Sequence, residues 1–203
     1  MERALAARGY VATWGAMPRL FDPIARSQQV AAAVNHIITA RGIPGLTMRG
    51  IGEVARISPS SLLGHYRSRW YMLKIAAHVT GSARLEQIRW RIAQGHGLGA
   101  WLPDDDEDVL TARAWLGWCE LWRTHEWITY TVGEIRAHEV DEIARLYDHR
   151  LTREELDLVV AMIDGLLVAI CRPERPMSRP AAQRVLARAT AHLTPDGDEA
   201  DAG

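Results

Sequence analysis

Residues 47–66 read TMRGIGEVARISPSSLLGHY, and their punctuation leaves room for two helices of about two turns each. Thr47 can cap a helix from Met48 to Ala55, because a hydroxyl there accepts from an unpaired N–H of the first turn. Ser58 and Pro59 repeat the signal: a capping hydroxyl, then a residue whose fixed φ and missing N–H suit the first helical position. They open a helix ending near Tyr66. Gly50, Gly52 and Ala55 also spell G-x-G-x-x-A, a spacing that could cradle a dinucleotide phosphate. That alternative needs a preceding strand, a long following helix and an acid about twenty residues on. Pro59 stops the helix soon after Gly52, and no acid stands between Glu53 and Glu86, so the phosphate-loop reading fails.

Two short capped helices joined at Arg56 and Ile57, with apolar residues at Ile51, Val54, Ala55, Ile57 and Leu62, form instead the pattern of a helix-turn-helix. Gly52 would let the helices cross closely. Glycines at 50 and 52 each cost a helix about 1 kcal/mol relative to alanine, so the pair must lean on its neighbours. Those are a helix capped at Asp22 and Pro23 that ends at Gly42, and one capped at Ser68 that runs to about Ile92 with a bend at Gly81. The expected domain spans residues 23–75, after an N-terminal arm of residues 1–22. Further helices are expected at 105–123, 125–149 with a break, 153–171 behind a capping box of Thr152 and Glu155, and 179–193. The fold class is all-α, with a helical second domain over 76–193 and a disordered acidic tail over 194–203.

Charge divides the chain. Residues 1–91 hold thirteen basic and four acidic side chains, and residues 92–203 hold eleven and twenty-one. A basic first half suits a nucleic-acid footprint, while the acidic remainder would be repelled from DNA; two solvated faces with accidental asymmetry are the plainer alternative. The acids Asp104 to Asp108 suit a helix start better than a metal site. Cys119 and Cys171 are too few for a disulfide framework, Arg3, Arg8 and Arg19 break up any leader, and no apolar run is long enough to span a bilayer, so a cytoplasmic protein with no membrane partner is expected.

The segment SQQVAAAVNHIITARGIPGLTMRGIGEVARISPSSLLGHYRSRWYML resembles the DNA-binding domain of TetR-family transcriptional regulators. Gly42, Thr47, Met48, Arg49, Ile51, Ala55, Ser58, Leu62, Tyr66, Ser68 and Leu73 match that pattern in order and spacing. Arg56 stands at the family's turn glycine, Ser60 and Ser61 replace Gly-Thr, Leu63 replaces a phosphate-contacting tyrosine, and Arg69 replaces a lysine. The resemblance implies that Thr47 and Arg69 meet phosphates, although Thr47 could serve only as a cap. It implies that Arg49, Ser60, Ser61 and His65 face the groove, beside Pro59 and Leu63 on the same short helix. Arg19 and Arg26 could reach the backbone or the minor groove. The implied partners are a double-stranded DNA operator, a small-molecule effector and a second copy of the chain.

In the second half, Trp115, Trp118, Cys119 and Trp122 fall on one helical stripe, with Trp127 and Tyr130 beginning the next helix. The stripe is either core or the lining of a pocket for an apolar or aromatic effector, and both readings stand at this stage. MIDGLL at 162–167 resembles a run in the family's penultimate helix, which with the last helix forms the dimer interface. Val159, Ile163, Leu166, Leu167 and Ile170 are the expected interface residues, with burial inside one protomer as the alternative. No catalytic set, metal site or cofactor is expected: His125 and His138 lack helical ligand spacing, and neither H-E stretch completes H-E-x-x-H. The function expected is that of a homodimeric regulator, a repressor released by its effector. The alternative is a helical DNA-binding or protein-interaction module without ligand control.

Overall fold

The computed structural model describes residues 22–193; the N-terminal arm with Arg19 and the expected acidic tail lie outside them. Among the described residues there are eight α-helices and no strand. α1 (Pro23–Arg41) starts where Asp22 accepts from the N–H groups of Ile24 and Ala25, and stops at Gly42, whose φ of 68° suits a residue without a Cβ. α2 (Met48–Ala55) and α3 (Pro59–Tyr66) have the expected caps: Thr47 accepts from Gly50 N, and Ser58 accepts from Ser61 N. α4 (Arg69–Ala93) then runs without interruption from its cap at Ser68.

The helical hydrogen bonding of α4 continues through Gly81, where a bend was expected, and the glycine serves close approach. A Cβ there would sit 2.8 Å from Ile135 Cγ1 and 3.2 Å from Trp115 Cζ3, so α4 meets α5 and α6 at this point. α5 (Asp106–Thr124) is capped by Asp105, α6 (Thr129–Leu146) follows a single 3-10 turn, and α7 (Arg153–Cys171) opens on the full capping box. α8 (Arg179–Thr190) completes the chain of helices. The loop expected around residues 95–103 holds a 3-10 turn over Gly97–Trp101.

Two hydrophobic clusters hold these helices. The first joins α1, α2, α3 and the start of α4 to Trp115, Trp118, Leu121, Ile128, Val132 and Ile135. The second gathers the far end of α4 with Trp101, Ala112, Ile143, α7 and α8. The boundary expected at residue 75 therefore falls inside the first cluster. α1 packs on α5 as well as on α4, and a Cβ at Gly117 of α5 would overlap Ile38 of α1. Beside that crossing, Asn35 Oδ1 accepts from Trp118 Nε1 at 2.9 Å and its Nδ2 donates to Thr80 Oγ1 at 3.0 Å. One polar residue of α1 is thus tied to both α5 and α4.

Candidate nucleic-acid interface and C-terminal core

α3 is held from behind and open in front. Leu62 and Tyr66, one helical turn apart, are 1% and 2% exposed and anchor it in the first cluster. Pro59, Ser60, Ser61, Leu63, Gly64 and His65 are exposed. The crossing of α2 and α3 depends on Gly52: a Cβ there would lie 2.6 Å from the Ile57 carbonyl oxygen, and Ile57 N donates to Gly52 O at 2.9 Å. Ser60 Oγ lies 3.1 Å from Ser58 Oγ, so one serine of the exposed pair is already oriented by the cap.

Cations frame this surface. Arg49 and Arg56 are exposed on the α2 side and Arg67 at the end of α3, with Glu53 the acid nearest them in sequence. Arg56 has φ 55° and ψ 42°, the left-handed conformation that caps α2, and Arg67 also has positive φ. Sequence reasoning noted Arg56 as a departure but missed both as surface cations; a C-cap position without glycine was the signal available. Thr47 is exposed while its hydroxyl caps α2, so the cap is made. Arg69 is only partly exposed: its guanidinium lies 4.7 Å from the Trp70 ring centroid, and its buried Nε has no partner among the described residues. Trp70 in turn packs against Trp127, with ring centroids 5.0 Å apart and planes tilted by 41°, a contact between α4 and the turn before α6 that the sequence did not reveal.

Most of the aromatic stripe is packed in the core. Trp115 and Trp118 are 1% and 0% exposed, and Cys119, Trp122 and Trp127 pack against the same cluster. Tyr130 is 76% exposed and faces away from it. Stripe residues spaced for one helix face were filled in from the other side by α1, and that partner is not visible in local periodicity. Burial pushes the Cys119 thiol up to about 12. The expected interface residues are likewise interior. Val159, Ile163, Leu166, Leu167 and Ile170 all belong to the second cluster, at most 6% exposed. The apolar residues and glycine of α7 left to solvent are Leu158, Ala161, Gly165 and Val168, and Val185 of α8 is also open.

Buried charges run between the helices of this half. Arg84 of α4 donates to Glu139 Oε1 at 2.6 Å, Arg136 donates to Glu139 Oε2 at 2.6 Å, and Arg136 also donates to Asp164 Oδ2 at 2.6 Å. Arg91 pairs with Asp108 and donates to the Leu102 carbonyl at 3.0 Å, which pins the start of α5 to α4. The acidic run at 104–108 thus supplies a cap, Asp105, and an ion-pair partner, Asp108. No group of three or more His, Cys, Asp or Glu among the described residues is placed to hold a metal ion, and no described helix is long and apolar enough to cross a membrane.

Two short helices crossing at Gly52, supported by α1 and α4 and packed with a helical second half, define an all-α fold of the helix-turn-helix class. The chain has the fold of the TetR-family transcriptional regulators. It superposes on a TetR-family transcriptional regulator from Rhodococcus sp. with a TM-score of 0.69, at 21% identity over 84% of this chain and 98% of that one. A transcriptional regulator from Saccharomonospora viridis in complex with choline matches at TM-score 0.65 and 16% identity, over 84% and 97% of the two chains. The multidrug binding protein EbrR, complexed with ethidium, matches at TM-score 0.56 and 20% identity, over 80% and 97%. No family model and no curated protein matches the sequence.

Proposed function

We propose that the chain is a homodimeric transcriptional regulator that reads an operator through α3. The observation that carries this is the two-sided character of α3: Leu62 and Tyr66 are locked in the core, while Ser60, Ser61, Leu63 and His65 are exposed between Arg49, Arg56 and Arg67. Short hydroxyls can bond either member of a base pair, so the serines select weakly by themselves, and the arginines supply phosphate affinity. Thr47 and Arg69 stand at helix starts, where phosphate binding is favoured, Arg69 with its guanidinium already braced by Trp70.

Dimerisation is assigned to the open faces of α7 and α8, with Leu158, Ala161, Gly165 and Val168 at the seam and Val185 beside it. Small residues at 161 and 165 permit close helix approach. A two-fold dimer then presents two α3 helices to the half-sites of a pseudo-palindrome. The effector is the second half of the proposal, supported by neighbours whose described ligands are choline and ethidium, both organic cations. The filled core around Trp115 and Trp118 favours the other reading, a regulator without ligand control. Selection of binding sites from random DNA tests the first part: an inverted repeat bound by a dimer is expected, with log affinity falling steeply against log salt. Random, salt-insensitive or monomeric binding would refute it. Release of the selected DNA by an added compound separates effector control from its absence.

A further inference from the structure

Of the arginines around α3, Arg49, Arg56 and Arg67 stand exposed, whereas Arg69 rests partly buried on an indole. Arg69 and Trp70 are the first two residues of α4, which Ser68 caps by accepting from Tyr71 N. The start of a long helix favours a phosphate. The Arg69 guanidinium carbon lies 4.7 Å from the Trp70 ring centroid, and Nε is enclosed without a hydrogen-bond partner among the described residues. A planar guanidinium can lie on a ring face where the compact ammonium of lysine gains less, so an arginine at 69 and an aromatic residue at 70 suit each other. Trp70 is 46% exposed, so its ring needs support from elsewhere to keep one orientation. Trp127 supplies that support from the other half of the chain. It packs against the first hydrophobic cluster, and the His125 ring meets it at 6.2 Å with planes 67° apart. A row of His125, Trp127, Trp70 and Arg69 thus leads from the turn before α6 to the start of α4.

We infer that Trp127 is a positioning residue for DNA binding: through Trp70 it holds the Arg69 guanidinium in one orientation at the start of α4, where the guanidinium meets a backbone phosphate. This deepens the proposed function and rests on its reading of α3 and the start of α4 as the face turned to DNA. A free arginine side chain has several rotors to freeze on binding, and one already laid on a ring has less freedom left to lose. With Nε enclosed, the terminal Nη nitrogens are the ones left to meet the phosphate. Trp127 Nε1 is itself buried and without a partner among the described residues, so the indole contributes its flat ring rather than a hydrogen bond. The contact is to a phosphate, so it strengthens binding to every sequence alike. Its size is that of one cation–π contact near the surface, about two- to fivefold in affinity.

The test measures the affinity of the full chain for a mixed-sequence DNA duplex at low salt, where phosphate contacts dominate, and the Arg69 Nε–Hε resonance of the DNA-free protein. Arg69→Lys assigns that resonance by removing it. In the parent chain the resonance should lie upfield, shifted by the indole ring current, and exchange slowly because Nε is enclosed. Trp127→Leu keeps a buried apolar side chain without the flat ring. It should return the resonance towards that of exposed arginines and weaken duplex binding about two- to fivefold, while Trp127→Phe should preserve both. In an Arg69→Ala background Trp127→Leu should cost no further affinity, whereas general damage to the fold would cost the same in either background. Trp70→Leu, at an exposed position, should repeat both effects and decides the matter if Trp127→Leu does not fold. An Arg69 resonance indifferent to both leucine variants, a resonance that moves without loss of affinity, or an undiminished loss in the Arg69→Ala background would overturn the inference. Absence of duplex binding by the parent chain would refute the operator reading itself, and the resonance would still show whether Trp127 holds Arg69.

Discussion

Replacing Gly52 by alanine should destabilise the protein although it improves the helix. In the interior of α2 the exchange gains up to about 1 kcal/mol of helix propensity. The new Cβ would lie 2.6 Å from the Ile57 carbonyl oxygen, a backbone atom that cannot rotate away. Relief requires α2 and α3 to separate, against the hydrogen bond from Ile57 N to Gly52 O. Overpacking of this kind costs about 1–3 kcal/mol, so the net loss is about 0–2 kcal/mol. Gly64→Ala is the internal control. It makes the same exchange in α3, where a Cβ would find nothing within 4 Å, and should stabilise by about 0.5–1 kcal/mol. The gap between the two variants isolates the overpacking cost of about 1–3 kcal/mol. For a chain of this length that is a separation of about 2–12 °C in melting temperature. Thermal unfolding followed by circular dichroism, at one protein concentration and without DNA, measures it. Equal melting temperatures would show that Gly52 is not at a helix crossing, and the placement of α3 would be wrong with it.

Other perturbations probe the rest. Arg56→Gly should stabilise by about 1 kcal/mol, since glycine adopts the left-handed cap without strain, while lowering the salt slope of operator binding by about one, as read in a salt titration. Ser60→Ala or Ser61→Ala should change which sequences a selection recovers, whereas Arg49→Ala should weaken all of them similarly; the reverse pattern would reject the proposed docking. Trp118→Ala should cost about 3–5 kcal/mol in chemical denaturation, because it empties a fully buried site and frees Asn35 from its partner. Because burial raises both thiols, each stays protonated near pH 8, so alkylation of the native protein should be slow at Cys119 and Cys171 and fast once denaturant is added.

The starts of α2 and α3 were legible because each is set by neighbours in sequence: a hydroxyl cap at Thr47 and at Ser58, the latter followed by a proline at the first helical position. The second half was harder to read, since its periodicity reveals stripes without saying what covers them. On α7 the stripe at Val159, Ile163, Leu166, Leu167 and Ile170 and the weaker one at Leu158, Ala161, Gly165 and Val168 are both apolar, and only the fold shows which is interior. Trp115 and Trp118 were found as a stripe but not as the surface on which α1 rests. The ion chain was invisible for a related reason: Arg84 and Glu139 are 55 residues apart, and Arg136 and Asp164 are 28 apart. Nothing local links them.

Asn35, bonded to both Trp118 and Thr80, and Ile38, seated against Gly117, join the helix-turn-helix half to the rest of the molecule as one packed unit. Modularity is lost as a result. Residues 22–75 excised as a cassette would expose the α1 surface that α5 covers, and grafting them onto another helical domain would set Ile38 against whatever side chain that domain carries at the position of Gly117. A chimera that keeps its operator specificity must therefore bring Gly117 and Trp118 along, so the unit that could be exchanged is the α1–α5 crossing together with the helix-turn-helix it supports.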